Sequence, residues 1–165
     1  MNVRAFRDLL DAPYWSKEVV VWVGGMEGLA ELLSASRRID LDLVALVPDD
    51  EKLPSSRDDR ADLMRRQLDE FLRANQPDGK QRVVLVVRNA GLLAKYGVGL
   101  QSFYDWFGGT QTMSVLAIDQ LKAIELPSTC TGAVKFDPKW LVDYFRSALA
   151  KSDKICVEAD EWQAA

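Results

Sequence analysis

Glu18-Val19-Val20-Val21-Trp22-Val23-Gly24-Gly25-Met26-Glu27-Gly28 is the stretch that decides the fold. Its first six residues are a continuous β-branched and aromatic run, the pattern of a central strand covered on both faces. The glycines turn the chain, and Leu29, Leu32 and Leu33 then predict a helix over residues 29–36. A nucleotide phosphate normally sits at such a strand–glycine–helix junction, on free backbone N–H groups. The groups that would hold a triphosphate are missing, however. A working phosphate loop follows its last glycine with Lys, which neutralises the β- and γ-phosphates, and with Ser or Thr, which holds Mg²⁺. Here Leu29 and Ala30 follow Gly28. Glu27 adds a carboxylate that repels phosphate, and the next cation along the chain is Arg37.

Outward from this junction, strands and helices alternate. Val3, Phe6, Leu9 and Leu10 predict a helix over about residues 2–11, ended by Pro13. After the glycine turn, a second strand is expected over Leu41–Val47, ended by Pro48. Residues 48–58 carry two prolines, two serines and several charges and read as an exposed loop. A helix is expected over 59–75, with Met64, Leu68, Phe71 and Leu72 on one face and Asp62–Arg66, Arg66–Glu70 and Asp69–Arg73 pairs on the other. Pro77-Asp78-Gly79 marks a turn. The third strand is Arg82–Val87. Leu100, Phe103, Tyr104 and Phe107 then share a helical stripe stopped by Gly108-Gly109. Thr112–Ile118 reads as a fourth strand and Gly132–Phe136 as a short one. Asp137 as cap and Pro138 at the first position open the last helix, which buries Leu141, Tyr144, Phe145, Ala148 and Leu149. Residues 154–158 suit an edge strand, and 159–165 a mobile tail. This order predicts a single α/β domain over residues 1–165, with a mostly parallel sheet of about five strands and helices on both faces.

Composition narrows the chemistry. The net charge is −4, against a whole-surface nucleic-acid footprint, and nucleic acid is expected only indirectly. No run approaches the roughly 20 apolar residues that span a bilayer. The first eleven residues lack an apolar signal core, so the expected location is cytoplasmic. Cys130 and Cys156 have no metal or redox spacing and read as reduced thiols. The chain has no histidine, which removes Ser-His-Asp and Cys-His catalysis and histidine metal sites together.

Four constellations remain. Gly24, Gly25 and Gly28 form a cofactor site or simply a sharp turn with close helix–strand packing. Arg88-Asn89 stands at the end of the third strand, where an ATPase would hold Mg²⁺ with paired acids, and reads as a strand-end turn. Asp49, Asp50 and Glu51 follow the second strand. An acid there could bond ribose hydroxyls in a dinucleotide or S-adenosylmethionine binder, or be a solvated charge run. Among the aromatics, Trp106 falls off the Leu100/Phe103 stripe and suits a protein interface together with Phe107. Trp162 suits a partner-anchoring role in the tail.

The glycine junction, Val83–Leu93 and the Thr112–Ile118 strand together resemble the core of P-loop ATPases of the additional-strand type, as in AAA+ modules and clamp-loader subunits, over about residues 16–150. Val83–Leu93 resembles their second-motif strand with its acids replaced, and Thr112–Ile118 their sensor strand. Degenerate domains of this size are similar to small accessory proteins of bacterial phage-exclusion (BREX-type) cassettes. The resemblance implies a P-loop-like fold without catalytic, metal or cofactor residues. It implies a binding or scaffold subunit with protein partners or a second copy of itself. The alternative is a Rossmann-like protein that binds S-adenosylmethionine or a dinucleotide through Gly24, Gly25, Gly28, Asp49 and Asp50.

Overall fold

The computed structural model describes residues 1–48, 53–106, 111–118, 124–126 and 133–158. The strands are β1 Glu18–Val23, β2 Arg37–Asp42, β3 Val83–Arg88, β4 Thr112–Ile118, β5 Ile124–Glu125, β6 Ala133–Val134 and β7 Ile155–Val157. The helices are α1 Val3–Asp11, α2 Met26–Leu32, α3 Arg57–Ala74, α4 Gly91–Tyr96, α5 Gln101–Asp105 and α6 Pro138–Ala148. Five strands form one sheet in the order β2-β3-β4-β1-β7, with every pairing parallel. β5 and β6 form a separate antiparallel pair.

Alternation along each strand sends side chains to two cores. Val20 and Trp22 of β1 join Val84, Val86, Met113, Val115 and Cys156 beneath α1 and α2. Val19, Val21 and Val23 join Leu85, Val87 and Leu116 beneath α3, α4 and α6. The expected α/β sheet with helices on both faces is the observed one. The β1-to-β2 connection runs toward the β2 edge over the first face. The later connections run toward the β7 edge over the second face. Direction and face change together, so all crossovers share one hand, as parallel sheets require. The reversal makes the C-terminal ends of β1 and β4 the switch point of the topology, the place where ligands of open α/β sheets bind.

The ends of the sheet are tied by side chains. At the N-terminal end, the Arg82 guanidinium lies 4.5 Å from the centre of the Trp15 ring. It donates to the carbonyls of Leu10 and Ala12 and to Gln111 Oε1. Trp15 Nε1 in turn donates to the Leu9 carbonyl at 2.9 Å. One side chain thus joins the end of α1, the entry to β1 and the entries to β3 and β4.

Three elements depart from the expected pattern. β2 covers Arg37–Asp42, and Leu43–Leu46 is a 3₁₀ turn instead of strand. Asp42 causes the switch, because its carboxylate accepts from the Val44 N–H at 3.0 Å and bends the chain out of the sheet. The residues before it, Arg37 to Asp40, carry the charges that protect an edge strand. The helical segment after β3 is broken into α4 and α5 by Gly97 and Gly99, which adopt φ of 64° and 74°; of the expected stripe, Phe103 and Tyr104 lie on α5 and Leu100 caps it. Finally, α2 begins at Met26, three residues before the apolar pattern that predicted it.

Candidate functional site at the strand–glycine–helix junction

β1 ends at Val23 and α2 starts at Met26, so the connection is two residues long. Gly25 is the N-cap and is exposed; Gly28 lies inside the first turn of the helix. A loop able to wrap a triphosphate would need the span from Gly24 to Gly28 to be free of helix. Here the helix has consumed it. Trp22 fixes the turn by donating its indole N–H to the Gly25 carbonyl at 3.2 Å.

At this end β1 is bonded on both of its sides. The Gly24 N–H donates to the Ile118 carbonyl of β4 at 3.3 Å, and the Glu158 N–H, just beyond β7, donates to the Val23 carbonyl at 2.7 Å. The Glu158 side chain lies along the glycines. A Cβ added to Gly24 would meet Glu158 Oε2 at 2.6 Å and Glu158 Cβ at 2.8 Å. A Cβ added to Gly28 would meet Oε1 at 2.8 Å and Oε2 at 3.0 Å. Both glycines therefore face a carboxylate of the chain itself. Glu27, exposed in the first turn of α2, adds a second negative charge, which stabilises the helix dipole as a bound anion would. Arg37 opens β2, so it lies at the opposite end of the sheet on its far edge.

At the end of β3, Asn89 stands in the left-handed region with φ of 56°. Its Nδ2 donates to Asp42 Oδ1 at 2.8 Å, the same oxygen that caps the 3₁₀ turn. This position is a strand-end turn that ties β3 to β2. Among the described residues, no group of three or more acidic, Cys or His side chains could hold a metal ion.

The remaining candidates separate. Asp49, Asp50, Phe107 and Trp162 lie outside the described residues, as do Glu51, Cys130 and the tail 159–165. Trp106 corrects the interface expectation: it is only 4% exposed. Its Nε1 donates to the Leu72 carbonyl at 3.1 Å, joining α5 to the end of α3. It leaves the α5 stripe because that helix ends at Asp105, and the extended backbone at Trp106 redirects the side chain inward. Among the described residues, the exposed large aromatics are Tyr14 and Trp140, at 57% and 45%. Trp140 stacks on Phe136 with ring centres 6.4 Å apart. Sequence reasoning missed Glu158 entirely. Its only signal was the expected edge strand, which says nothing of where the side chain after it lies.

Compared with protein-family models, with curated proteins and with solved structures, the chain matches none of them. No helix among the described residues is long and apolar enough to cross a membrane.

Proposed function

We propose that this chain is a non-catalytic binding or scaffold subunit of a larger protein assembly, built on a P-loop-like sheet that no longer takes nucleotide. The observation that carries the reading is the junction: a two-residue turn, with Glu158 lying on Gly24 and Gly28. A triphosphate carries several negative charges and needs cations and N–H donors at close range. This junction offers it two carboxylates, and in the cavity lined by Gly28 and Glu158 the cation, Arg7, is set among the further acids Asp11 and Glu31. The P-loop-like part rests on the resemblance: the strand with the glycine junction, β1, and the strands that resemble the sensor and second-motif strands, β4 and β3, lie side by side in one parallel sheet. The assembly class suggested by the resemblance is a bacterial phage-exclusion cassette.

Sheet order weighs against the S-adenosylmethionine or dinucleotide reading. In the Rossmann order 3-2-1-4-5-6 the strand bearing the ribose acid lies beside the glycine strand. Here β2 is three strands away from β1, which is roughly 14 Å at the usual strand spacing.

The test is co-purification of the full chain with the products of its neighbouring genes, coupled to an ATPase assay. A stoichiometric complex that persists without nucleotide supports the proposal. An ATPase activity that Gly28→Asp abolishes overturns it.

A further inference from the structure

We propose that Gly24 and Gly28 are a seat for the Glu158 side chain, and that this seat keys the edge strand β7 into register on β1. The inference deepens the reading of the junction given above, and the two fail separately: a complex can form whether or not the seat exists.

β7 is three residues long, Ile155-Cys156-Val157. Cys156 faces the core beneath α1 and α2, while Ile155 and Val157 pack toward the other core. All three are apolar, so a slip of one residue would place Ile155 or Val157 where Cys156 sits at little hydrophobic cost. Side-chain alternation normally fixes register because a slip turns the apolar set toward water. In β7 that signal is absent.

What the slip would lose lies beyond the strand. Glu158 follows Val157 directly, and its N–H reaches the Val23 carbonyl. Its side chain then runs over two glycines spaced by four residues, with Gly24 before the helix and Gly28 in its first turn. Gly24 admits the Glu158 Cβ and Gly28 admits the carboxylate oxygens. Any other residue at either position would have to displace Glu158. At the near end, Lys154 Nζ pairs with Glu18 at 3.3 Å, and the Lys154 carbonyl accepts from the Val21 N–H at 2.9 Å. The side chains of the strand carry no register, so polar groups must pin it: those at its two flanks, and the Met1 amine, which donates to the Ile155 carbonyl at 2.7 Å. On this account the glycines that look like a phosphate motif are required by a side chain, and no ligand is needed to explain them.

A double-mutant cycle on the full chain tests the seat. Alanine is the better helix former, so Gly28→Ala alone should stabilise α2 if nothing lies against Gly28. With Glu158 present the new methyl displaces the flexible end of that side chain, so the melting temperature is expected to rise by clearly less than it does where Glu158 is absent. In the Glu158→Ala background the same change should raise it by about 2–4 °C. Glu158→Gln keeps the shape and should behave as the parent chain does. Equal shifts in all backgrounds would overturn the seat. Hydrogen exchange tests the keying. In Glu158→Ala the amide of Val21, bonded to Lys154, should exchange at least about fivefold faster while β3 core amides hold their rates. An unchanged Val21 rate would overturn the keying.

Discussion

At the scale of single residues, several side chains that look unremarkable in the sequence hold distant parts of the chain together. Arg82 belongs to the short Lys80-Gln81-Arg82 basic cluster, which has the composition of a solvated surface. In the structure it lies over Trp15 and donates to three acceptors from two other segments. Its partners are about 30 to 70 residues away, which no local pattern encodes. Arg82→Ala is expected to lower unfolding free energy by about 2–3 kcal/mol, since it removes the cation over the ring and leaves carbonyls with lost donors. Urea denaturation measures this, and a loss under about 0.5 kcal/mol would contradict it. Cys156 yields a pH prediction. Burial pushes its thiol from 9.0 up to about 11, with the N-terminal amine opposing and Glu158 adding to the rise. The folded chain therefore keeps a proton that the unfolded chain loses above pH 9. This contribution to stability is complete below that pH and disappears as pH rises through about 11. The urea midpoint should fall more steeply between these values in the parent chain than in Cys156→Ala; parallel slopes would count against it.

At the scale of elements, the sequence is most legible where caps and period agree. Asp137 and Pro138 open α6 as expected, and the Asp137 carboxylate accepts from the Trp140 N–H at 3.2 Å. Asp137→Ala should cost about 1 kcal/mol, read from the urea midpoint at constant slope. No change would mean that the cap is replaceable by water. β1 and β4 are equally clear, because long β-branched runs admit few alternatives. β2 was not. Leu41 to Val47 is apolar apart from Asp42, and such a run suits strand and turn alike. The deciding fact is the Asp42 carboxylate, which serves both Val44 and Asn89. Asn89→Ala should destabilise more than Asn89→Gly. Both lose the bond to Asp42, but only alanine also strains the left-handed backbone. Equal losses in thermal denaturation would show that the conformation at Asn89 carries no cost.

At the scale of the whole molecule, the α/β class and the five-stranded sheet followed from the alternation of elements, but the strand order did not. Order depends on which strand edges meet after each crossover, and near-continuous apolar strands carry no address for their neighbours. The junction was legible in a negative sense only. The missing Lys, hydroxyl and paired acids are visible in the sequence. The occupant of the glycines is not, since Glu158 comes 130 residues after Gly28 in the chain. Whether this junction can accept a nucleotide separates a binding subunit from an enzyme. The most direct measurement is thermal denaturation of the full chain with Mg·ATP at millimolar concentration, read beside a nucleotide-free control. We predict a shift under about 1 °C, because a ligand that is not bound adds nothing to stability. A saturable rise of about 5 °C or more, the size expected from roughly hundredfold excess over a dissociation constant, would contradict the account if Gly28→Asp removed it.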